Sequence, residues 1–258
     1  MRRVVVGVVA LTVLLLGAVP VMANNTWAEY HWADGVDLHD GSISLSLIDD
    51  LTAYSTENGL VLGDWDGGPG PLALASTKAA VIDRPVACDN VNTGAAGDAI
   101  SGTIHVCNDV YGENGWLGLA RIWIAGDGHI EAGVALMNDS YTFKADSVYN
   151  NPVAWQHVLC QEIGHTFGLD HQGSPRKQSC MNDRWGLTSI DFDSPNQHDY
   201  DTLNEIYGSG DAGDGDGSKP CNPNRKNCPA NGANVTVTPR AGGGWIVTFT
   251  FPAGLGLR

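Results

Sequence analysis

The sequence predicts an α/β (α+β) domain. Three observations point there. Several short segments alternate polar and apolar residues or run through β-branched ones. One longer segment repeats its apolar residues at helical spacing. Dense turn signals separate the two kinds. Residues 24–208 are enough for one domain with a real core.

The first 23 residues stand outside that fold. Arg2 and Arg3 precede an uninterrupted apolar stretch from Val4 to Val19, and Val21 and Ala23 hold the small-residue positions before a cleavage point. This is the pattern of a secretory signal, residues 1–23, removed after Ala23. A signal anchor left uncleaved is the alternative, although the run is short for a span of about 20 residues. The expected location is secreted, with no stable membrane span after cleavage.

Within the domain, Ser42–Ile48 alternates as a half-buried strand does, and Ala79–Ile82 and Gly102–Cys107 are further strand candidates. Leu119–Ile124 and His129–Met137, joined by Gly126-Asp-Gly128, form a predicted strand pair. Turn residues crowd Gly67–Pro71, Asn92–Gly97 and Gly112–Gly115. A helix follows, with Asn151 as N-cap and Pro152 at the first helical position. Trp155, Leu159 and Ile163 supply its buried stripe, and Gly168 ends it. A second helix is expected over Asp199–Tyr207.

Composition then changes. Residues 209–230 are a Gly/Asp-rich linker with a small disulfide loop at Cys221–Cys228. Asp211, Asp214 and Asp216 are a possible calcium site, but the terminal bidentate Glu of a calcium loop is missing and a linker is favoured. Residues 231–258 form a short C-terminal β extension, with Val235–Thr238 and Trp245–Phe251 alternating as two strands. Too short for its own core, this tail either packs on the main domain or belongs to something incomplete.

Six cysteines in an exported chain favour disulfides. Spacing prefers Cys88 with Cys107, Cys160 with Cys180 and Cys221 with Cys228, although sequence alone does not fix the pairing. The formal charge is −15, and every acidic residue except Asp211, Asp214 and Asp216 lies at or before position 208. Such a surface repels nucleic acid and anionic lipid. A monomer is expected.

Residues 160–171 read Cys-Gln-Glu-Ile-Gly-His-Thr-Phe-Gly-Leu-Asp-His. Glu162, His165, Gly168 and His171 fit the pattern H-E-x-x-H-x-x-G-x-x-H, while Gln161 stands where the first histidine belongs. Met181 follows after Ser179-Cys180. In these positions the chain resembles the metzincin clan of zinc endopeptidases, nearest to matrixin-like secreted bacterial members, over residues 24–208. The resemblance implies a mixed twisted sheet, an active-site helix and a C-terminal helix after a Met-turn. It implies Zn2+ held by Gln161, His165 and His171, Glu162 as general base and Met181 as the Met-turn methionine. Gly168 lets the chain turn so that His171 comes back to the metal. His129–Asn138 would be the edge strand that aligns a protein or peptide substrate. A bridge from Cys160 to Cys180 would fix the floor of the site. Asp183 stands where some subfamilies have a tyrosine, so no transition-state tyrosine is inferred.

Spacing explains the chemistry. Positions 161 and 165 lie one turn apart on one helix face, where two side chains can hold one cation. Three ligands leave a fourth position for water, whose pKa zinc lowers to about 7. Gln161 offers a neutral amide, a weaker ligand than imidazole. His157 cannot replace it, because eight residues of helix separate His157 from His165 by about 12 Å. Asp170 is an alternative ligand, and His198 is read as a helix-start or surface histidine. His31, His39, His105 and His129 carry no motif. No cysteine lies between Ala23 and the first strand candidate, so latency through a free pro-segment cysteine is not expected.

The expected function is therefore a secreted zinc-dependent endopeptidase. The alternative is a pseudoprotease of the same fold that binds peptides or surface partners. A structural or adhesion module relying on residues 231–258 or an uncleaved N-terminus is the third reading.

Overall fold

The computed structural model describes residues 26, 30–32, 42–78, 85–89, 99–172, 178–182, 187, 189–207, 234–240 and 243–254. The signal segment, the strand candidate at 79–82, His39, Asp183 and the linker with Cys221 and Cys228 lie outside them. Along the chain run β1 (His31–Trp32), β2 (Ile43–Asp49), α1 (Ser55–Gly67), β3 (Leu72–Lys78), α2 (Val86–Asp89), β4 (Thr103–Asp109), β5 (Trp116–Ile124) and β6 (His129–Asn138). Then come α3 (Asp139–Thr142), α4 (Pro152–Thr166), a 3-10 turn at Ile190–Phe192, α5 (Gln197–Tyr207), β7 (Val235–Pro239) and β8 (Trp245–Pro252).

The strands make one mixed sheet ordered β3-β2-β4-β6-β5-β8-β7, with β1 pairing on β6. β3, β2, β4 and β6 are parallel, β5 is antiparallel to β6, and β8 is antiparallel to β5. The molecule is thus an α+β fold on a mixed sheet, as predicted. Among the described residues no helix is long and apolar enough to cross a membrane.

The β2 pattern alternates because one face is covered, with Ile43, Leu45 and Leu47 buried and Ser44 and Ser46 exposed. β5 is buried along its whole length. Its one face, with Ala120, Ile122 and Ile124, joins the main core under α4; Leu119 and Trp123 on the other join a smaller cluster with Cys88 and Cys107. The Cys88–Cys107 and Cys160–Cys180 disulfides are both present.

One expectation changes. His129–Asn138 is not an edge strand, because β6 lies inside the sheet between β4 and β5. Its near-continuous apolar run suits a strand covered on both faces. The C-terminal extension takes the first of its two alternatives and packs on the main domain. β7 and β8 extend the same sheet beyond β5.

Candidate active site

α4 carries the motif and begins as its sequence dictates. The Asn151 side chain accepts a hydrogen bond from the Ala154 amide at 2.9 Å, and Pro152 takes the first turn, where no N–H is needed. Its far end closes in a Schellman motif. Gly168 donates to the His165 carbonyl at 3.1 Å and Leu169 to the Gly164 carbonyl at 3.4 Å. Gly168 has φ +94°, and a Cβ there would lie 2.3 Å from the Tyr30 carbonyl oxygen, so only glycine fits. The remaining terminal carbonyls are also bonded. Trp32 Nε1 donates to Thr166 O at 2.8 Å and the Tyr207 hydroxyl to Phe167 O at 2.7 Å.

That turn orients two histidines. His165 Nδ1 donates to the Leu169 carbonyl at 2.9 Å, which leaves a lone pair on Nε2 of the neutral ring. This Nε2 faces His171 Nε2 at 3.0 Å, with the two rings perpendicular. Gln161 is one helical turn before His165 and fully buried, and neither atom of its amide finds a hydrogen-bond partner. Glu162 is also buried, and neither carboxylate oxygen has a partner. Burial pushes its pKa well up, and the Ala120 backbone amide opposes this. β5 makes room for this acid at Gly118, where a Cβ would lie 2.7 Å from both Cγ and Oε1 of Glu162.

These residues fit a zinc ion. Two nitrogens on one tetrahedral zinc, with bonds of about 2.0–2.1 Å, stand about 3.3 Å apart, close to the spacing of the two Nε2 atoms. A cation within reach of the Gln161 oxygen would give that buried atom a partner. Buried polar groups without partners are rare and costly, so their clustering beside two facing imidazoles calls for an explanation.

Met181 is fully buried, and its sulfur lies against α4 at Gly164, where a Cβ would stand 2.5 Å from Sδ. The segment is fixed covalently by Cys160–Cys180. It is also fixed by Asp199, a residue with no motif. Asp199 accepts from Ser179 Oγ at 2.5 Å, from the Asn196 amide at 2.9 Å and from Gln172 Nε2. Gln172 N donates to Met181 O at 2.7 Å, and Met181 N to Ser179 Oγ at 3.0 Å. Burial raises the Asp199 pKa against these bonds.

The remaining histidines fall elsewhere. His157 is buried, with Nε2 3.2 Å from the Asn182 carbonyl, so it ties α4 to the Met181 segment. His105 pairs with Asp50 at 2.5 Å, and His129 lies 3.3 Å from Asp127. His198 is in the first turn of α5. Asp170 accepts from the His171 amide at 2.7 Å and lies 3.7 Å from its Nδ1. Asp50 shares a cluster with Cys88 and Cys107, but both sulfurs are in the disulfide and are not thiolate ligands.

One neighbour of the site comes from the C-terminal extension. Phe249 of β8 stacks on His165, with centroids 4.2 Å apart and planes 7° from parallel, and stands edge-on to His171 at 6.4 Å. Phe251 meets the His157 ring at 5.6 Å. The only sequence signal for this was the alternation of Val247, Phe249 and Phe251, which says that they share a face and not what that face meets. Compared with models of known families and with curated proteins, the chain matches none.

Proposed function

We propose that the chain is a secreted zinc-dependent endopeptidase of metzincin type. The observation that carries this reading is the facing pair of His165 and His171 Nε2 atoms beside the unpartnered side chains of Gln161 and Glu162. The mixed sheet, α4 packed against β5 and β6, and α5 following Met181 agree with what the resemblance implies. Gln161 Oε1, His165 Nε2 and His171 Nε2 would hold the ion.

When bound there, zinc supplies Lewis acidity, polarising a peptide carbonyl and lowering the pKa of water to about 7. The chain's own residues do the rest. Leu169 O holds the proton on His165 Nδ1 and so keeps Nε2 as the ligating atom. Glu162 takes the proton of the attacking water on a carboxylate oxygen and returns it to the leaving amine. Met181 and the Cys160–Cys180 bridge keep α4 in place beneath these groups.

A second reading is a pseudoprotease. Two observations favour it: an amide replaces the first imidazole ligand, and Phe249 covers His165. The test is zinc content and casein cleavage by the purified mature protein, with Glu162→Ala as control. Stoichiometric zinc with cleavage lost in the variant supports the peptidase. Zinc binding only after Gln161→His supports the pseudoprotease.

A further inference from the structure

β8 lies along β5, the strand beside Glu162. It pairs antiparallel with β5 from Ile124↔Trp245 to Gly118↔Phe251, and Ala120 is opposite Phe249. Gly118 and Ala120 are also the β5 residues beside Glu162. An added strand gains affinity from main-chain pairing and specificity from alternate side chains in pockets. β8 does both. Val247, Phe249 and Phe251 are fully buried on the side of α4, and two of them touch His165 and His157. On the reverse face Arg121 Nε donates to Thr248 Oγ1 at 3.0 Å.

The hairpin is clipped at both ends. Arg240 pairs with Glu131, and Gly244 (φ +82°) brings the chain so close that a Cβ would meet the Ile124 carbonyl at 2.1 Å. At the other end Ala253 N donates to Gly115 O at 2.8 Å and Gly254 N to the Tyr149 hydroxyl at 2.6 Å. Phe249 lies stacked over the His165 ring, and His165 is only 1% exposed.

We propose that β8 is an internal occupant of a peptide-binding groove between β5 and α4. The chain is held latent by its own C-terminal hairpin. Once the hairpin leaves, the groove takes extended peptides with large apolar side chains at alternate positions, an aromatic ring facing His165 and polar residues facing Arg121. The groove itself rests on the geometry of β8. Latency rests in addition on the peptidase reading.

A tethered segment acts at an effective concentration of order millimolar, so a free peptide competes only once the tether is cut or the tethered strand is weakened. The experiment uses the full mature chain with a site-specific protease sequence inserted between Gly213 and Asp214. The probe is a dye-labelled peptide of residues 244–253. After cutting and dilution, the peptide is expected to bind on the order of a hundredfold tighter than to the uncut chain. Amide exchange at 118–124 should rise on dilution and fall again with peptide. A peptide with aspartate at the Phe249 position should not bind, and casein cleavage in zinc should rise on cutting.

Peptide uptake without cleavage leaves the groove standing and removes the peptidase reading. No uptake by a cut chain that keeps its fold and loses protection at 118–124 overturns the inference. So does equal cleavage by the uncut chain with 118–124 still protected. If cutting unfolds the chain or fails to release the hairpin, uncut Phe249→Ala serves in its place: it should admit the peptide, and failure to do so also overturns the inference.

Discussion

Asp199 and Glu162 are two buried acids on separate helices, α5 and α4, and they are treated in opposite ways. Asp199 is 2% exposed and accepts from Ser179, Asn196 and Gln172. Glu162 is 1% exposed and its oxygens have no partner. Burial raises the pKa of both. A fully bonded buried acid stabilises the fold around it, while an unbonded one costs stability and must be kept for another reason. The same division runs along α4. Its C-terminal carbonyls are capped by Trp32 and Tyr207, whereas the buried side chains of Gln161 and Glu162 have no hydrogen-bond partner.

This contrast can be broken by substitution. The largest effect belongs to Asp199→Ala, which strands three donors at about 1–3 kcal/mol each, so a urea midpoint should report a loss of about 3 kcal/mol or more. Replacing Cys160 and Cys180 together by alanine opens a loop of separation 20 and should cost about 3 kcal/mol by the same measurement. Gly168→Ala should cost about 2 kcal/mol, because a left-handed residue at φ +94° would meet Tyr30 O, and it should loosen His171 as well. Glu162→Gln should act in the other direction. In chelator-treated protein it is expected to gain about 1 kcal/mol, and in zinc-loaded protein to abolish casein cleavage. Equal losses at Asp199 and Glu162 would erase the contrast.

The smallest effect is a pH dependence. The folded state raises the Asp199 pKa above its ordinary 3.8, with burial as the main cause. Below 3.8 both states hold the proton. As pH rises past 3.8 the unfolded chain releases it first, so stability falls until pH passes the folded value. Asp199→Asn lacks this dependence. Melting curves should therefore show the variant gaining on wild type as pH rises from about 4.

Local chemistry made much of the molecule legible. Asn151, Pro152 and Gly168 mark both ends of α4 without help from tertiary contacts. The alternation of Ser42–Ile48 anticipates β2 to within a residue. Helix α1 was not legible, because Gly59 and Gly63 depress its helix propensity and its stability comes from Val61 and Trp65 in the core. The motif named Gln161, Glu162, His165, His171 and Met181, and these residues lie along α4 and the segment packed on it. Asp199 and Phe249 escaped notice for a common reason: each acts through a contact made far along the chain. A lone Asp at a helix start and an alternating apolar strand look the same whether they support a site, cover one or do neither.

Metal content decides the central claim most directly. Purified mature protein should be dialysed against micromolar free zinc and its zinc measured, beside Gln161→Ala and His165→Ala. One equivalent in wild type, lowered in Gln161→Ala and lost in His165→Ala, is the result predicted by the facing imidazoles and the unpartnered amide. Wild-type protein that holds no zinc under these conditions contradicts it.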